Sequence, residues 1–150
     1  MRGKQHCYVL VADWLPRARK LDRAEALREL GRRYLAAHAP ADDRDLAKWA
    51  GITLTDARRA LDGAKPPRRR EAPPPPPKLL GPFDELLMGW ADRGWVLPPR
   101  AAGTVISGGI FRPSVLSGGR ITGAWSLGGR TPRGLAAERA DVERFLRSAR

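Results

Sequence analysis

The chain has 150 residues and carries 28 basic against 16 acidic side chains, a net charge of +12. That length holds one ordinary domain or two small lobes, and the charge favours a polyanionic partner held through phosphates. No apolar stretch approaches the ~18 residues of a membrane span, so no membrane partner is expected, and the lone Cys7 excludes an internal disulfide.

The positive charge is spread along the chain, at +5 over residues 1–66, +3 over 67–82 and +4 over 83–150. Of the basic residues 23 are Arg and 5 are Lys, a bias that a GC-rich genome produces without any selection for DNA binding. The start, MRGKQHCYVLVADW, lacks a small-residue cleavage site after its short apolar run. With the unpaired cysteine, this predicts a cytoplasmic protein, and DNA binding would associate it with the nucleoid.

Tyr8 to Ala12, a β-branched and aromatic run stopped before Pro16, predicts a strand. From Asp22, a candidate N-cap, an amphipathic helix is expected with Leu27, Leu30, Tyr34, Leu35 and His38 on one stripe and its arginines outside. His38 has no second His, Cys or clustered carboxylate at ligand spacing, so it reads as a helix-end residue. Neither a metal nor a cofactor is expected.

Asp43 to Leu61, DRDLAKWAGITLTDARRAL, has the pattern of a helix-turn-helix. Ala47 is small where two helices must approach closely, and Gly51 stands where the first helix needs a positive φ to end. The second helix, expected over Thr55 to Asp62, is the one that enters a DNA major groove in such units. It carries Arg58 and Arg59 outward, with Thr53 and Thr55 ahead as caps or phosphate contacts. The competing reading is a helical hairpin whose arginines face solvent, with Asp56 and Asp62 diluting the positive face.

Residues 67–78 hold a run of five prolines and the triplet Arg68, Arg69 and Arg70. They predict an extended spacer between a helical lobe at 1–66 and a β-rich lobe at 79–150. The spacer is either solvated throughout, a basic arm that binds phosphates through the triplet, or a ligand for a proline-reading domain. In the last lobe a short helix is expected from Phe83 to about Met88. Short strands are expected at 95–97, 104–106, 110–111, 114–116 and 120–125, including a hairpin around Ser117-Gly118-Gly119, and a closing helix at Leu135–Arg147. Trp90, Trp95 and Trp125 are read as packing residues. Asp84 and Glu85 are neighbours that cannot face one another on a helix, so a role at its N-terminal turn is expected rather than acid/base chemistry. The fold class is therefore α+β, a helix-turn-helix lobe with its wing reduced or lost, followed by a small antiparallel β lobe with flanking helices.

Three separated motifs resemble one family in its order. They are RRYLxxHxP at Arg32–Pro40, LLxxFDExLxG at Leu79–Gly89 and GGIFRPxVLxxGRxxGxW at Gly108–Trp125. Together they cover most of residues 5–145 and resemble the C-terminal half of the AlkZ-like winged-helix DNA-binding proteins, bacterial relatives of alkylpurine and interstrand-crosslink DNA glycosylases. The resemblance implies double-stranded DNA as partner and tandem winged helices followed by a β-rich domain. It also implies a catalytic Gln-x-Gln motif in an N-terminal portion. This chain has the single glutamine Gln5, so no catalytic residue is carried over. The Pro/Arg spacer stands where a wing hairpin would follow the recognition helix. The expectation is thus a non-catalytic, shortened duplex-DNA-binding protein, not an enzyme, using Thr53, Thr55, Arg58, Arg59 and Arg68 to Arg70. The alternatives are a subunit of a repair glycosylase that needs a separately encoded N-terminal half, and a truncated product with no DNA role.

Overall fold

The computed structural model describes residues 7–15, 20–68, 73 and 75–148. Its elements run α1 (Val11–Trp14), α2 (Arg23–His38), α3 (Asp43–Ala50), α4 (Leu54–Leu61), β1 (Lys78–Leu80), α5 (Glu85–Met88), α6 (Pro99–Val105), β2 (Ile106–Ser107), β3 (Ile110–Phe111), β4 (Ser114–Ser117), β5 (Arg120–Ala124) and α7 (Ala136–Ser148). The result is an α+β fold with short antiparallel sheets.

Helix α2 begins at a reciprocal capping box. Asp22 accepts from the Glu25 N–H, and the Glu25 side chain accepts from the Asp22 N–H. Asp42 and Asp45 repeat the device at the start of α3. That helix ends at Gly51, whose φ of 65° is the left-handed conformation expected of a C-terminal glycine. Thr53 then caps α4 by accepting from the Asp56 N–H. The helix-turn-helix unit is therefore written in local chemistry, with α4 starting one residue earlier than its sequence suggests.

What seats α4 is a close approach in the interior of α2. Gly31 is buried there, and a Cβ at this position would overlap the carbonyl of Ala60. The backbones of α2 and α4 meet at that point, and Tyr34, Leu46, Ala57 and Ala60 close over it as a buried cluster. Glycine mid-helix costs ~1 kcal/mol relative to alanine, so its place here is decided by packing rather than propensity.

The β portion holds two further clusters. Leu87, Val96, Val105, Leu116 and Ile121 pack between α5, α6 and the sheet, while Leu79, Val115 and Leu135 pack under the start of α7. The larger sheet has the order β1-β4-β5, all antiparallel, with Lys78 opposite Leu116, Ser117 opposite Arg120 and a bulge between Val115 and Leu116. The β4–β5 turn is Gly118-Gly119, both at positive φ, as a two-residue hairpin requires. Gly108-Gly109 makes the equivalent turn between β2 and β3.

Several expectations change. Tyr8 to Ala12 is not a strand: residues 7–10 have no regular structure and α1 follows, exposed, with no strand pairing to this segment among the described residues. Residues 95–97 form a turn and 99–105 a helix, since Pro98-Pro99 presets a helical start. Lys78, the last residue of the expected spacer, opens β1. The helix expected from Phe83 starts at Glu85, with Phe83 at φ 55° and Asp84 capping through the Leu86 N–H. The apolar residues Phe145 and Leu146 of the closing helix are exposed.

The helical and β portions are joined by a polar hub. Glu85 Oε1 accepts from His38 Nε2 at 2.8 Å and from Trp49 Nε1 at 2.5 Å. Tyr34 Oη donates to the Gly89 carbonyl at 2.6 Å, and Asp45 accepts from the Ala91 N–H at 2.8 Å. Burial pushes the Tyr34 hydroxyl well above the usual phenol range, with the charges of Asp45, Asp42 and Glu85 adding to it, which keeps it a donor. Gly89 is required because a Cβ would run into the His38 ring. His38 is thus a helix-end residue as read, and its buried ring also carries the junction.

Two outcomes follow in equilibrium unfolding. Gly31→Ala is expected to lower stability by about 1–3 kcal/mol, because displacing the Ala60 carbonyl outweighs the gain in helix propensity; a neutral or stabilised variant would contradict the crossing. Glu85→Ala is expected to cost about 1–3 kcal/mol by stranding the buried His38 donor, and Glu85→Gln, which keeps an acceptor, distinctly less.

Candidate nucleic-acid interface

Helix α4 turns Ala57 and Ala60 inward and leaves Thr55, Arg58, Arg59 and Asp62 exposed. The outward strip expected from the sequence is therefore present. Thr53 is committed to its cap, and Thr55 stands exposed in the first turn. Arg68 is exposed beyond the helix, whereas Arg69 and Arg70 lie outside the described residues, as does Gln5.

The two arginines lean to opposite flanks. Arg58 Nε donates to Asp43 Oδ2 at 2.8 Å, toward α3. Arg59 lies toward α2, with Nη1 4.0 Å from Asp56 Oδ1. Both guanidinium groups are largely solvent-exposed, and an exposed pair of this kind contributes only ~0–1 kcal/mol. Exchanging such a carboxylate for a phosphate is therefore cheap.

Asp56 does not dilute the positive face as expected. Its carboxylate is nearly buried and accepts from Arg23 Nη2 at 2.7 Å. It holds Arg23 and stands beside Arg59, so both lie on one flank. Arg28 and Arg32 of α2 and Lys65 after α4 border the same flank, and sequence reasoning missed them as part of a site. The available signal was Gly31: a glycine inside a strong amphipathic helix marks the place where another backbone arrives.

On the far side, a cleft of about 550 Å³ is walled by Trp90, Trp95 and Leu86 and edged by Asp42, Asp45 and Asp92. Its carboxylates are occupied in caps and at the junction, with Asp92 accepting from the Gly94 N–H. Trp90 donates to the carbonyls of His38 and Pro40, and Trp125 to that of Leu80, so these indoles are tied to the fold. Among the described residues no group of His, Cys, Asp and Glu is arranged to hold a metal, and no helix is long and apolar enough to cross a membrane.

Comparison with known proteins gives a consistent result. The model of the family described as "DNA glycosylase AlkZ-like" matches residues 1–148. Among solved structures, the chain is similar to the DNA glycosylase AlkZ of Streptomyces sahachiroi, with a TM-score of 0.76 at 21% identity. The match covers 95% of this chain and 49% of that one, so the chain spans about half the length of the AlkZ chain it resembles. No curated protein sequence matches it. The expectation that the chain is not an enzyme is overturned by the family match, because the family is one of DNA glycosylases. That expectation rested on one short glutamine motif, whereas the match rests on nearly the whole chain.

One charge on the α2 flank has a defined titration. Glu29 receives hydrogen bonds from Arg32 Nε and Nη2 and from Arg33 Nε, and these hold its carboxyl at about 2, below the usual carboxylate range. Since the folded value is depressed, the pairing is complete above the ordinary carboxyl range and is lost as pH falls through about 2. A side-chain carboxyl NMR titration is expected to find Glu29 ionised at pH 3.5, and protonation there would contradict the pairing.

Proposed function

The chain belongs to the AlkZ-like DNA glycosylase family, and on that premise we propose that it serves base excision by holding double-stranded DNA against the exposed strip of α4. The supporting observation is the helix-turn-helix geometry itself. Gly51 ends α3 at positive φ, Ala57 and Ala60 bury one side of α4, and Arg58 and Arg59 are presented on the other. A helix offered in this way fits a major groove, with its cations beside the strand backbones.

The physical need is clear in any glycosylase. The target nucleotide must leave the base stack, at a cost of a few kcal/mol, before the bond to its sugar is broken. Phosphate contacts made away from the lesion offset that cost and are blind to sequence. Such contacts alone give a Kd on the order of 10⁻⁴ to 10⁻⁶ M at physiological salt, which suits a search over many undamaged sites. Base excision itself is tested by a glycosylase assay on alkylated duplex, run with this chain against a protein-free control.

For the α4 strip, the expected result is that replacing Arg58 and Arg59 together with alanine reduces the slope of log K against log salt by up to ~1.8, at ~0.9 for each phosphate no longer neutralised. An unchanged slope and affinity would remove α4 from the interface.

A further inference from the structure

The exposed arginines of α2 border α4 along part of the helix. Because Gly31 lets the backbone of α4 approach, the C-terminal end of α4 and the turn after it come down beside the arginines of α2. Two recesses form along this seam. One, of about 350 Å³, lies among Arg23, Arg28 and Arg59 over Ala24 and Leu27. The other, of about 380 Å³, lies among Arg28, Arg32 and Lys65 beside Ala60 and Gly63. Arg28 and Asp62 border both, so the recesses are continuous.

Five cations and one carboxylate, Asp62, line this track. Their states differ in a way that suits anion binding. Asp56 orients Arg23 through a single N–H and stands beside Arg59, and a guanidinium has five donors, so most remain available on both. Arg32 is chelated by Glu29 and contributes charge more than donors. Arg28 and Lys65 make no ion pair or side-chain hydrogen bond among the described residues, and both are exposed. Cations without partners are the ones that gain most from an incoming phosphate.

We propose that this α2–α4 seam seats consecutive phosphates of one DNA strand, beside the groove that α4 enters. The inference rests on the α4 reading and extends it from a helix to a track. A nucleic-acid strand fits better than a small anion because the two recesses share Arg28 and Asp62 and run on from Arg59 of the α4 strip, a length that a single phosphate would leave mostly empty. Ala24, Leu27 and Ala60 supply apolar floor for the sugars between charges.

The test uses the full chain and a short fluorescent duplex, titrated by anisotropy over a potassium chloride series. The double variant Arg28→Gln/Lys65→Gln is expected to bind more weakly, with the log K against log salt slope lowered by up to ~1.8. Arg100→Gln, an exposed cation at the start of α6, is expected to behave as wild type. Thermal melts should be unchanged in each, since none of the three residues has a side-chain partner within the described fold. Asp62→Asn, which removes the one carboxylate lining the track, is expected to tighten binding. Wild-type protein that fails to bind duplex at low salt would overturn both the seam and the α4 reading. Wild-type binding with an unchanged slope in the Arg28/Lys65 variant would overturn the seam alone. Displacement of DNA by inorganic phosphate, at an ionic strength matched with chloride, would also overturn it and leave a small-anion site.

Discussion

The contact on which the rest depends is the meeting of Gly31 with the carbonyl of Ala60. It sets how deeply α4 sits against α2, and the cluster of Tyr34, Leu46, Ala57 and Ala60 closes around that depth. The same approach brings the end of α4 beside Arg28 and lets Asp56 reach Arg23. One missing Cβ therefore couples the packing of the helical portion to the layout of its surface charge. A methyl group there would push α4 outward and open the seam as well as loosen the core.

The charge layout has an internal logic. A chain at +12 repels itself, and the carboxylates of the helical portion are placed to limit this without cancelling the exposed face. Asp22, Asp42 and Asp45 are used in caps, Glu29 collects Arg32 and Arg33, and Asp56 holds Arg23. Asp42 and Asp45 also edge the tryptophan cleft, together with Asp92. That leaves a cationic flank and an acidic flank on one small body, which would orient it in the field of a duplex before contact.

Much of the helical portion was legible because its signals are local. Asp22 three residues before Glu25, Gly51 four after Ala47, and Thr53 three before Asp56 each fix one boundary through chemistry within a turn of helix. The Gly118-Gly119 hairpin was legible for the same reason. What failed was whatever depends on a distant partner. Tyr8 to Ala12 has strand-forming residues and, among the described residues, no strand paired with it, while Lys78 to Leu80 pairs with residues 114–116 from beyond a proline run. Val96 and Leu97 are buried like strand residues, yet Pro98-Pro99 turns the chain into a helix. At the site, the arginines of α4 were visible, but the seam was not. Arg28 and Lys65 lie 37 positions apart in sequence and meet only through the helix crossing. Similarly, Glu85 was read as a helix-end acid, and its second role needs His38 and Trp49 from the other portion.

The central claim is that the exposed strip of α4 and its α2 flank lie on duplex DNA. It is tested most directly by ¹H–¹⁵N correlation spectra of the full chain titrated with a short duplex at low salt. Shifts are expected at Thr55, Arg58 and Arg59 together with Arg28 and Lys65, including the arginine Nε–H signals, while Trp90 Nε1–H, tied to the carbonyls of His38 and Pro40, stays in place. Shifts confined to β4 and β5, or centred on the cleft of Trp90 and Trp95, would contradict it.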